Sequence, residues 1–177
     1  MADRWHAVTK SAGRAKLVTY GPFGDRLPAR FTAQVDHPAH PMRMRLSMSF
    51  DGTERVKVES VTVERTDGQS VTPEDMTRLQ LARVVNNAVL NEAVKHPGSG
   101  GAWWGVGRDR PAGPPIDDEL RLLARMYWHE FVSWGKPRQA VMAAFDLPRS
   151  TANHWIRKAR ERHELPGPHA DFDDGED

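Results

Sequence analysis

Cysteine is absent from the 177 residues, so neither a disulfide nor a thiolate metal site is available. No apolar run approaches the ~18 residues that a membrane-crossing helix needs. Met1–Lys10 lacks the apolar core of a secretory leader. These absences lead us to expect a cytoplasmic protein with no membrane partner. Net charge is nearly absent too, with 25 Lys+Arg against 24 Asp+Glu. That balance by itself names no polyanionic partner, but its distribution is uneven. Arg149, Arg157, Lys158, Arg160 and Arg162 face a single acid, Glu161, over fourteen positions, whereas the tail after Pro166 holds five acids and no Lys or Arg.

What is present begins with strands. Met42, Met44, Leu46, Met48 and Phe50 alternate with Arg43, Arg45, Ser47 and Ser49. Period two means one buried and one wet face, the wet one carrying cations that are either solvated or a second nucleic-acid contact. Asp51-Gly52 marks a turn. Arg55–Arg65 resumes with Val56 and Val58, then Val61 and Val63 out of phase by one, which predicts a bulge near Glu59-Ser60. Lys16–Tyr20 and Arg30–Val35 are weaker strands flanking the Gly21–Gly24 turn, giving an antiparallel sheet of four or five strands.

Thr72-Pro73-Glu74-Asp75 has the cap, proline and acids of a helix start. The stripe from Met76 to Val89 predicts one helix that covers the sheet. Residues 96–115 hold ten Gly or Pro in twenty, with Trp103-Trp104 among them, and read as a linker whose tryptophans either pack back on a domain or anchor a partner. The fold class expected is α+β: residues 1–95 as a β-rich domain, 96–115 as linker, 116–165 as a three-helix module, and 166–177 as an acidic disordered tail.

Within 116–165, Asp117-Asp118-Glu119 opens a helix, and Ile116, Leu120, Leu123, Ala124, Tyr127, Phe131 and Trp134 mark its buried face, with Gly135 ending it. Pro137 starts a short helix with Ala140, Val141, Ala144 and Phe145 inward. After Asp146-Leu147-Pro148, Ala152, Trp155, Ile156 and Ala159 give a third helix its core face. Ser150, His154 and Arg157 then point outward, flanked by Asn153 and Lys158.

The run from Arg138 to Arg157 resembles the helix-turn-helix of bacterial and phage regulators and resolvases. Leu147, Ala152 and Trp155-Ile156 fall at that family's core positions. Met142 stands where a small residue is usual, Asp146 replaces the common turn glycine, and Pro148 replaces the Ser or Thr cap. The whole layout resembles small actinobacterial and actinophage proteins that pair a β-rich half with a C-terminal helix-turn-helix. The resemblance implies double-stranded DNA as partner, with helix 149–163 in the major groove.

The residues support the same expectation. Arg forks onto guanine and Asn onto adenine, so Arg149, Ser150, Thr151, Asn153, His154, Arg157 and Lys158 form the candidate contact face. Arg160 and Arg162 lie further along as phosphate contacts. One such motif reads few base pairs, so a homodimer through the N-terminal domain is expected. The leading function is a transcriptional regulator associated with the nucleoid. The alternatives are a phage or mobile-element accessory factor in excision, replication or packaging, and an adaptor that binds protein rather than DNA. No enzyme, cofactor or metal site is expected. His129-Glu130 begins a zinc-protease pattern, but Ser133 stands where its second His belongs, and the Gly clusters lack the strand and the Lys-Ser/Thr of a phosphate loop.

Overall fold

The computed structural model describes residues 6–11, 15–37, 39–98 and 114–166. It is α+β. Six strands precede five helices: β1 (His6–Ser11), β2 (Leu17–Tyr20), β3 (Asp25–Pro28), β4 (Arg30–Asp36), β5 (Met42–Ser49), β6 (Lys57–Arg65), α1 (Pro73–Thr77), α2 (Leu81–Lys95), α3 (Asp117–Val132), α4 (Pro137–Phe145) and α5 (Arg149–Arg162). Strands β1-β4-β5-β6 form an antiparallel sheet in that order, and β2-β3 form a separate hairpin. The strand count exceeds the sequence expectation because β3 has only four residues, Asp-Arg-Leu-Pro, without an alternating pattern of its own.

Alternation in β5 has the predicted consequence. Met42, Met44, Leu46 and Met48 are buried, and across β4 they meet Phe31, Ala33 and Val35 on the same face. The phase break in β6 is a bulge: Ser47 pairs with Ser60 and Met48 with Val58, leaving Glu59 as the extra residue. The wet face departs from expectation. Arg43 binds Asp36 at 2.6 Å and approaches Glu64 at 3.8 Å, while Arg45 binds Glu64 at 2.9 Å. Cross-strand acids therefore neutralise the cationic stripe that the sequence of β5 suggested.

The helix expected from Thr72 to Val89 is broken into α1 and α2. Thr72 and Asp75 form a reciprocal capping box, and the buried Asp75 carboxylate also accepts from Arg65 at the end of β6. That pair anchors α1 to the sheet's end, whereas Val84, Val85, Ala88, Val89 and Ala93 of α2 must reach its inner face. Arg78–Gln80 make the change of direction. Met76, assigned to the apolar stripe, is half exposed in consequence.

Helix α3 joins two cores. Leu120 and Leu123, in its first half, pack with Val141, Phe145, Ala152, Trp155, Ile156 and Ala159 of α4 and α5. Phe131 and Val132, in its last turns, belong to the sheet core with Trp128 and Trp134 against it. Between them, buried Arg125 makes a two-pronged bond to buried Asp25 of β3, Nε to Oδ2 at 3.1 Å and Nη2 to Oδ1 at 2.6 Å.

Further ties follow along α3. The Val56 N–H donates to Val132 O at 2.9 Å, and the Trp134 indole donates to Val56 O at 2.6 Å. Gly21 sits so close to the Trp128 ring that an added Cβ would lie 3.0 Å from its Cγ. The first residues of the Gly/Pro segment also dock on β3, with the Gly98 N–H donating to Asp25 Oδ1 at 2.8 Å. Trp103, Trp104 and the acidic tail after Pro166 lie outside the described residues.

Two details of α3 differ from expectation. Ile116 is 63% exposed, because at the cap position its N–H faces Glu119 and its side chain points away from the bundle. The left-handed residue that ends the helix is Trp134, at φ 64°, rather than Gly135. A tryptophan in that region is strained, and the bond to Val56 holds it there. Gly135 instead allows close approach, since an added Cβ would meet the Glu130 carboxylate and Asn86.

Candidate nucleic-acid interface

The site is built on α5. Ala152, Trp155, Ile156 and Ala159 are buried against α3 and α4, and Phe145 meets the Trp155 ring edge-on at 5.6 Å. Spacing of i, i+3, i+4 and i+7 fixes the rotation of the helix, so the opposite residues have no choice but solvent. Arg149, Ser150, Asn153, His154, Arg157 and Arg160 are exposed; Thr151 and Lys158 are half-buried at the flanks. The structure thus brings all eight candidate residues onto one side of one helix.

The turn that aims α5 is Asp146-Leu147-Pro148. Asp146 adopts φ 50°, ψ 50°, the left-handed conformation that the sequence placed there. Its N–H and that of Leu147 both return to Met142 O, which closes the end of α4. Pro148 then enters α5 at φ −65° with extended ψ, and its carbonyl accepts from the Ala152 N–H. Met142, the unusual residue for this motif, is half-buried at the edge of the helical core, where its long side chain has room.

Charge along α5 divides into two kinds. Among the described residues Arg149, Arg157 and Lys158 form no ion pair, and Arg157 meets only the His154 ring, Nη2 to Nδ1 at 2.9 Å. Further along, Arg162 pairs with Asp117 at the start of α3, and Arg160 reaches Pro166 O at 3.4 Å. The two residues expected to hold phosphates are therefore partly engaged within the chain. No acid occupies the first turn of α5, and the nearest, exposed Asp146, lies in the turn before it.

The position of this face is fixed from the sheet half. Phe23, in the β2–β3 turn, lies under the Arg121 guanidinium at 5.5 Å and meets His163 edge-on at 5.3 Å. Burial, with Arg121 and Arg162 nearby, lowers the pKa of His163. The Trp128 indole donates to Glu164 O at 2.6 Å, tying α3 to the segment after α5. Sequence reasoning missed these positioning residues and the Asp25–Arg125 pair. The available signal was Arg125 itself, a charge placed between Ala124 and Trp128 on an otherwise apolar arc.

His129 is fully buried, and desolvation lowers its pKa to about 4 despite the attraction of Asp25. Burial raises the pKa of Glu130, which accepts from Asn86 at 3.2 Å. Among the described residues no three His, Asp or Glu are grouped to hold a metal ion, and no helix is long and apolar enough to cross a membrane. Comparison with protein-family models, curated proteins and solved structures finds no match.

Proposed function

We propose that this chain binds double-stranded DNA in a sequence-dependent manner and acts as a transcriptional regulator. In this reading, α5 lies in the major groove. Arg149, Asn153 and Arg157 read base edges, while Ser150, Thr151, His154 and Lys158 complete the contact. The observation that carries the reading is the contrast on α5 itself: a fully buried apolar seam, and opposite it a donor-rich face whose leading cations have no acidic partner among the described residues. A forked guanidinium and a carboxamide are the groups that match guanine and adenine edges in that groove. Arg160 contributes to the phosphate backbone, and Arg162 does so only by leaving Asp117.

Selection of bound fragments from genomic DNA, followed by titration at several salt concentrations, tests the reading. Affinity should fall steeply with salt. Arg157→Ala should weaken the selected site by about tenfold or more and relax its sequence preference. Arg45→Ala, on the self-neutralised sheet face, should leave binding unchanged. Fragments clustered upstream of the chain's own gene support regulation, and fragments confined to another part of a mobile element support an accessory role instead. Binding that ignores salt, or that Arg157→Ala leaves intact, overturns the reading.

A further inference from the structure

We propose that two copies of this chain associate through the free edge of β6, the strands running antiparallel about a two-fold axis at Thr62. The surface itself rests on the geometry of β6. Its use in setting two copies of α5 about the dyad of a DNA site rests on the reading above.

The sheet order leaves two edges, β1 and β6. Helix α2 packs beside β1, where Lys95 donates to Thr9 at 3.0 Å, whereas β6 packs extensively only on β5 among the described residues. An unpaired edge offers a row of N–H and C=O groups to another strand. The ends of β6 are guarded against that, by the bulge at Glu59 and by Lys57, Glu64 and Arg65. Its middle, Ser60-Val61-Thr62-Val63, carries no charge and three β-branched residues.

Val61 faces the inner, apolar side opposite Leu46, yet it is 42% exposed, because the covering helix lies toward the other edge. Val71 and Met76 are also exposed, on the segment that the Arg65–Asp75 bond anchors to the end of β6. Three of the six large exposed apolar side chains among the described residues therefore lie on this edge strand or on the segment tied to its end.

The occupant follows from register. Past the bulge, Val61 and Val63 point inward and Ser60, Thr62 and Glu64 outward, as their partners on β5 require. Pairing a second copy about Thr62 sets Val61 against Val63 twice on the inner side. On the outer side it sets Ser60 against Glu64 twice, with Thr62 meeting Thr62 on the axis. Centring on Val61 instead opposes Glu64 to Val58 and Glu59 to Val63. Centring on Val63 opposes Val61 to Arg65. Half-residue registers place inward side chains against outward ones. Of these three registers, only that centred on Thr62 sets valine against valine on both sides of the axis while Glu64 faces a hydroxyl.

Sedimentation of the full chain without DNA tests the proposal. A concentration-dependent dimer is expected, consistent with a short seam. Thr62 is exposed, so Thr62→Lys should fold normally, as circular dichroism verifies, yet place two ammonium groups on the axis and weaken association by about fivefold or more. Thr62→Glu should do the same, and mixing the two variants should restore a dimer. A monomeric wild type at about 100 μM, far above a micromolar Kd, overturns the proposal. A dimer indifferent to both variants, or no recovery on mixing, also overturns it. A monomer that still binds DNA with salt dependence removes this surface alone; a dimer without DNA binding removes the DNA reading alone.

Discussion

The sheet half and the helical half bury different chemistry. Every buried polar or charged side chain among the described residues lies in the sheet half or on α3: Asp25, Asp75, Glu92, Arg125, His129 and Ser133. Helices α4 and α5 bury none. Their core is Val141, Phe145, Ala152, Trp155, Ile156 and Ala159 against Leu120 and Leu123. The sheet half thus uses directional bonds to hold α3 at a defined place and angle. The helical half uses apolar packing on α3 to present α5, leaving its polar residues outside. A helix shared by both cores should make the pair one cooperative unit, and each half can be tested by disturbing what is particular to it.

The largest effect should come from the bond that crosses between halves. Arg125→Ala leaves the Asp25 carboxylate buried without its guanidinium and should cost about 3–5 kcal/mol. Replacing both partners by apolar residues, Asp25→Leu with Arg125→Met, should cost less than either single change, because no stranded charge remains. Urea unfolding followed by tryptophan fluorescence and by circular dichroism measures both. If the halves are one unit, the two signals shift together. Separate midpoints would show two units and break the comparison.

Next in size is a pH effect confined to the sheet side of α3. The pKa of His129 is lowered to about 4 in the fold, against about 6.5 in an unfolded chain. Protonation therefore favours unfolding. The stability associated with neutral His129 is complete above pH 6.5 and is lost as pH falls from 6.5 toward 4, at about 1.4 kcal/mol per unit and about 3 kcal/mol in all. Glu130 works in the opposite direction, since burial raises its pKa and protonation favours the fold. Comparing wild type with His129→Leu between pH 7 and pH 4.5 isolates the histidine. The variant should lose that slope, and an unchanged slope would place the titration elsewhere.

The helical half was more legible in sequence than the sheet half, for a physical reason. The seam of α5 recurs within eight residues, so Ala152, Trp155, Ile156 and Ala159 announce both the buried face and its opposite. The bulge at Glu59 was legible likewise, because a one-residue slip changes the parity of the valines on either side. Asp25 and Arg125 lie a hundred positions apart, and no local period connects them. The wet face of β5 read as cationic because Asp36 and Glu64 sit on neighbouring strands, whose register is set by the sheet as a whole. Exposure of Ile116 and the left-handed Trp134 were missed for a related reason: each depends on where a helix end meets another element.

The smallest effect sharpens the comparison most finely, because it acts on the turn that aims α5 and on nothing in the sheet. Asp146 holds a left-handed backbone that glycine adopts without steric cost. Relief of that cost favours Asp146→Gly, whereas the added freedom of glycine in the unfolded chain opposes it. The balance should be a gain of about 0.5 kcal/mol, and Asp146→Ala should lose about 1 kcal/mol. Both changes leave the bonds from residues 146 and 147 to Met142 O available. Thermal unfolding read from strand and helix signals then decides the matter. A shift shared by both signals means that a single turn in the helical half is felt by the sheet through α3. A shift in the helix signal alone means that α4 and α5 melt from a platform that stays folded, with the exposed face of α5 in the less stable of the two regions.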